Sequence, residues 1–126
     1  MTSQHLSFPW LPNNKYSYPD FDCFWLASFI RLHFNLKPFP DISWVYDMYQ
    51  NEKEHPPNLI ETVMYNSLDI VDTPYLKFAL MCLEYNNMQY LGTVIDNYCI
   101  FMGKYPNYAF INSKLLSHVK LIGTVK

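Results

Sequence analysis

Asp22-Cys23-Phe24-Trp25-Leu26-Ala27-Ser28-Phe29-Ile30 lies inside a longer stretch, Phe21 to Phe34, in which only Asp22, Ser28, Arg31 and His33 interrupt the apolar residues. A helix with that pattern is apolar nearly all round, so it is expected in the middle of the domain, with Asp20 as its cap. Asp22 at its start needs water or a partner. The rest of the chain has to pack around this segment. Upstream, Pro9, Pro12 and Pro19 with Asn13 and Asn14 between them break helices, and residues 1–19 read as an extended or turning arm.

Downstream the helical pattern continues. Pro38, Pro40 and Asp41 close a connection, after which Trp44, Val45, Met48 and Tyr49 recur at the three- and four-residue spacing of an amphipathic helix over Ile42 to Gln50. Asn51 to His55 is charged and reads as a solvated loop. Asn58-Leu59-Ile60-Glu61 has the form of a capping box and predicts a short helix to about Asn66. Thr73-Pro74, an N-cap followed by proline, predicts another apolar helix over Tyr75 to Tyr85. These segments form an expected helical lobe, residues 20–87.

The character changes after Asn86-Asn87. Gln89 to Ile95, Tyr98 to Met102, Tyr108 to Ile111 and Val119 to Val125 are short, rich in Tyr, Val and Ile, and separated by Asn, Gly and Pro. They predict a small antiparallel sheet over residues 88–126. The fold class is therefore α+β: one domain spanning residues 1–126, a helical lobe followed by a β lobe, with a cleft between them.

Composition narrows the function. In 126 residues half are apolar and 18% aromatic, enough to fill a core, and only 3 are glycine. Net charge is −2 and the lysines and arginines are scattered, so the basic footprint of a nucleic-acid binder is missing. Met1 to Tyr16 lacks the pattern of a secretory signal, and no stretch has the length and apolarity of a membrane span. Cys23, Cys82 and Cys99 form no C-x-x-C pair and their number is odd, which favours a reducing compartment over a disulfide framework. His5, His33 and His55 are equally scattered. Neither a metal site nor a cofactor is expected.

Two residues carry the chemical expectation. Cys23 falls in the first turn of the central helix, where free amide groups and the positive end of the helix dipole favour a thiolate. His118 stands just before the last β segment, so a fold that brought the two together would make a thiol nucleophile with an imidazole base. The competing reading is plain: a cysteine flanked by Phe24, Trp25 and Leu26 is a small buried hydrophobe, as most free cysteines are.

The order of these features resembles the papain-like leader proteases at the N-termini of certain positive-strand RNA virus polyproteins, the foot-and-mouth disease virus type foremost, with arterivirus papain-like leader domains as second relatives. The shared features are Cys23, Trp25, Ala27, Pro38-Phe39, Trp44-Val45-Tyr46, Thr73-Pro74, Gly92, Ala109-Phe110-Ile111 and Ser117-His118-Val119. The resemblance implies a papain-like fold in which Cys23 attacks a peptide carbonyl and His118 carries the proton. It implies a polypeptide substrate, the protein's own polyprotein or a host protein, or a ubiquitin-like conjugate, met in the host cytoplasm. No residue is assigned to the oxyanion hole beyond the Cys23 amide: Ser17 and Tyr18 stand where the family has Gln or Asn, and Asn13 and Asn14 lie further off. Only eight residues follow His118 and none is Asp or Asn, so the site would be a dyad, an inactive relic, or part of a longer chain.

Two other readings stay open. One is a non-catalytic viral or phage interaction protein that blocks a host factor by surface contact, suggested by Tyr16, Tyr18, Tyr46, Tyr49, Tyr105 and Tyr108. The other is a papain-like deubiquitinating module in which Asp69, Asp72 and Asp96 form an acidic rim for a basic substrate tail.

Overall fold

The structure, a computed structural model, describes residues 4–5, 22–45, 58–73 and 75–126. Its strands are β1 (Gln4–His5), β2 (Leu68–Val71), β3 (Leu80–Tyr85), β4 (Met88–Val94), β5 (Tyr98–Met102), β6 (Pro106–Phe110) and β7 (Val119–Val125). They form one antiparallel sheet in the order β1-β6-β5-β4-β3-β7-β2, so the expected α+β class holds. The helices are α1 (Cys23–His33), α2 (Leu59–Ser67) and a single turn, α3 (Ser113–Leu116). Residues 43–45 are also helical, and the rest of the helix expected to Gln50 lies outside the described residues, as do Asp20 and most of the arm 1–19.

Each sheet face has its own core. Leu80, Cys82, Leu91, Ile100 and Met102 meet α1 and α2 through Phe24, Leu26, Ile30, Leu59, Val63 and Met64. Met81, Leu83, Val94, Cys99, Phe101 and Ala109 on the reverse face meet Leu115 of α3 and Ile122. Alternation along β3 and β4 makes this division, because successive side chains point to opposite faces.

Local chemistry sets the ends of these elements. Asp22 is the N-cap of α1, its carboxylate accepting a hydrogen bond from the Trp25 amide at 2.9 Å. At the other end Asn35 adopts φ 56°, and the bonds Leu36 N–H to Arg31 C=O (2.9 Å) and Asn35 N–H to Leu32 C=O (3.1 Å) complete a Schellman motif. Asn86 and Asn87, at φ 51° and 62°, supply the two left-handed residues of a tight β3–β4 hairpin.

Three expectations are corrected. The helix expected over Tyr75 to Tyr85 is absent: Phe78 turns the chain at φ 66°, and Leu80–Tyr85 is a central strand paired with β4 and β7. The sheet is accordingly not confined to residues 88–126: β2 and β3 occupy the expected helical lobe, and β1 comes from the expected arm. Helix α1 is not central either. It lies on one sheet face, with Ser28 and His33 exposed and Leu32 80% exposed.

Candidate functional site

Cys23 begins α1, the position expected for an activated thiolate, but its surroundings oppose ionisation. The residue is 9% exposed and belongs to the core shared with Phe24, Leu26 and Leu91. Burial, aided by the neighbouring Asp22 carboxylate, pushes its thiol up from 9.0 to about 12, while the main-chain amides of Leu91, Cys23 and Phe24 pull the other way and lose. The magnitudes explain the outcome. A helix dipole contributes about 0.3–2 kcal/mol at its terminus, whereas holding the thiol at about 12 and not 9.0 corresponds to about 4 kcal/mol.

His118 sits elsewhere. Its carbonyl accepts from the Glu84 amide at 2.8 Å, and its Nδ1 lies 3.2 Å from the Glu84 carbonyl. A carbonyl can only accept, so Nδ1 carries the proton in this bond. The imidazole packs edge-on against Tyr85, with ring centroids 5.2 Å apart. Tyr85 shares its sheet face with Met81 and Leu83, the face opposite α1. The two expected partners have different surroundings: Cys23 packs into the core between α1 and the sheet, whereas His118 meets Glu84 and Tyr85 at the end of β3. The sequence places both residues near element ends but does not say which face each one takes.

A polar cavity of about 510 Å³ lies where the β3–β4 hairpin approaches the start of α2, lined by Asn58, Glu61, Glu84, Asn87, Gln89 and Lys120. The capping box expected from Asn58 and Glu61 does not close, since Asn58 makes no side-chain cap bond. Gln89 of β4 caps α2 instead: its Oε1 accepts from the Glu61 amide at 3.1 Å, and its Nε2 donates to Glu84 Oε2 at 3.2 Å. Lys120 reaches Glu84 at 3.9 Å because β7 carries a bulge, Cys82 facing Leu121 and Leu83 facing Val119, which leaves Lys120 without a cross-strand partner. No cysteine, serine, threonine or histidine is among the residues that line this cavity, and the bonds through Gln89 already engage both carboxylates.

The remaining feature is a sheet edge. Among the described residues β2 pairs with β7 on one side only, and Asp69 and Ile70 on it are exposed, as is Asp72 just beyond. Of the expected acidic rim, Asp96 is bridged by Lys77 at 3.8 Å, whereas Asp69 and Asp72 have no ion-pair partner among the described residues. Also among the described residues, no group of three or more His, Cys, Asp or Glu is placed to hold a metal ion, and no helix is long and apolar enough to cross a membrane. Comparison with protein families, with curated proteins and with solved structures finds no match to this chain.

Proposed function

We propose that this chain is a non-catalytic binding module that works by surface contact with another polypeptide, as a viral or phage protein would in blocking a host factor. The observation that carries this reading is the placement of exposed apolar side chains. Among the described residues Leu32, Tyr65, Ile70, Tyr75, Leu76, Tyr85, Met88 and Phe110 are the large exposed hydrophobics, and four of these eight fall between residues 65 and 76, on β2 and the segments that flank it in sequence. Singly scattered apolar residues need no explanation, but their concentration in the segments that lead into and out of an edge strand supports a contact surface there.

The thiol-protease reading, and the deubiquitinating one that shares its nucleophile, would need Cys23 uncovered and an imidazole delivered to it. The amides around the sulfur favour that reading, and burial outweighs them. A papain-like division into two lobes is likewise supported less than one sheet with two helices on a single face.

The test places a photo-crosslinking amino acid at Tyr75 and, as a control, at Lys104 near the opposite end of the sheet. The binding reading expects a discrete crosslinked polypeptide at Tyr75 that excess unlabelled protein competes away. Equal crosslinking at the two positions would overturn it, as would rapid labelling of native Cys23 by a thiol-directed peptide electrophile.

A further inference from the structure

We infer that the outer edge of β2 is a docking strand for an extended, basic segment of a partner polypeptide, which joins the sheet as an additional strand. The inference rests on the binding reading above and names its surface and its partner's chemistry.

Main-chain geometry comes first. Leu68, Asp69, Ile70 and Val71 pair in register with Val125, Thr124, Gly123 and Ile122, and this uses the hydrogen-bonding groups on one side of β2. In an antiparallel ladder alternate residues turn their N–H and C=O groups away from a given neighbour, so the outer side of β2 presents a set with no strand beside it among the described residues. Such an edge is a template for strand addition, in which main-chain bonds supply affinity and alternate side chains supply specificity.

Side chains then select the occupant. Asp69 and Asp72 are exposed carboxylates without a cation among the described residues, and Ile70, on the sheet face opposite Asp69, is 42% exposed. An incoming strand that places Lys or Arg over Asp69 and an aliphatic residue over Ile70 satisfies both faces. A second copy of the chain does the reverse. Antiparallel self-pairing about the middle of β2 would bring Asp69 of each copy onto the same face of the joined sheet, and neighbouring like charges across strands are destabilising. The same carboxylates that repel a copy therefore admit a basic strand.

The test uses the full chain and a fluorescent short peptide alternating lysine and valine. Two counterparts accompany it: one with glutamate for lysine, and one N-methylated along the edge that would meet β2. The inference expects saturable binding of the lysine peptide with amide resonances of residues 69–72 shifting, and no binding of either counterpart. Charge reversal at exposed positions, Asp69→Lys with Asp72→Lys, should weaken the lysine peptide by about tenfold or more and admit the glutamate peptide. Binding indifferent to N-methylation or to charge reversal would overturn the inference, as would shifts centred on Glu61 and Glu84 in the polar cavity. A dimer by sedimentation that Ile70→Pro abolishes would assign the edge to a second copy and overturn it equally. Failure of the lysine peptide alone rejects this docking strand and leaves the broader binding reading, which answers to the Tyr75 crosslink and the Cys23 labelling.

Discussion

Alkylation of Cys23 separates a binding module from a hydrolase by opposite signs. With its thiol at about 12, the fraction ionised at pH 8 is about one in ten thousand, against about one in ten for an ordinary thiol at 9.0. Ionisation alone therefore slows reaction with iodoacetamide by about a thousandfold relative to the unfolded chain, and the 9% exposure of the residue slows it further by restricting access. A catalytic thiolate with a pKa between about 3.5 and 7.5 would instead be mostly ionised at pH 8 and would react at least as fast as the unfolded reference. The assay is timed alkylation of native and guanidinium-unfolded protein, quenched and read peptide by peptide with mass spectrometry. Cys82 and Cys99, both also pushed up to about 12 by burial, serve as internal references in the same samples. The structure predicts that all three are strongly protected. Native Cys23 reacting ahead of the other two, or within about tenfold of its unfolded rate, would refute the account of the site.

Alkaline pH should cost stability in a way traceable to single thiols. A folded-state pKa raised above the unfolded value gives stability that is fully present below about pH 9 and lost as pH rises toward 12. For Cys99 this is about 1–2 kcal/mol between pH 7 and pH 10. Denaturation of Cys99→Ala should lack that increment, and an unchanged pH profile would contradict the assignment. Leu91→Ala, removing a 2% exposed side chain from the contact between α1 and the sheet, should cost about 2–5 kcal/mol by urea denaturation; a loss under about 1 kcal/mol would mean that the helix is not seated there. Gly123→Val should cost about 1–3 kcal/mol, because a Cβ at that position lies 3.2 Å from the Asp69 carbonyl oxygen and 3.2 Å from the Leu68 side chain. Amide exchange at residues 122–125 should quicken in this variant as β2 is displaced, and unaltered protection there would show that the two strands are not so closely apposed.

Legibility in the sequence followed burial. β4, β5 and β7 were readable to within a residue or two, since aromatic and β-branched residues flanked by Asn, Gly and Pro leave few alternatives. β3 was not, for a physical reason: Leu80-Met81-Cys82-Leu83 is buried on both faces, so it has neither the alternation of a half-covered strand nor a helical stripe, and Leu and Met favour helix intrinsically. Pairing on both sides, with β4 and β7, overrides that preference. β2 was missed because Leu68-Asp69-Ile70-Val71 follows α2 with no breaking residue between them. At the site, the place of Cys23 in a first helical turn was legible and its accessibility was not, because accessibility is decided by a sheet contributed by residues far along the chain.

Asp22 shows why a helix start alone does not make a nucleophile. The positive end of α1 and the Trp25 amide are already engaged by the Asp22 carboxylate, so the electrostatic advantage of the first turn goes to the cap, and the capping charge itself raises the adjacent thiol. Asp22→Asn separates these effects. Asparagine caps about as well as aspartate, so stability should change by under about 1 kcal/mol, while the repulsive charge beside Cys23 is removed. Burial is the largest cause of the raised thiol and the charge is second, so alkylation of the variant should quicken and yet stay far below the unfolded rate. Cys23 reacting as fast in folded Asp22→Asn as in unfolded chain would mean that the carboxylate, and not the apolar cover of α1 against β4, holds the sulfur neutral; the case against a hydrolase would then rest on His118 alone.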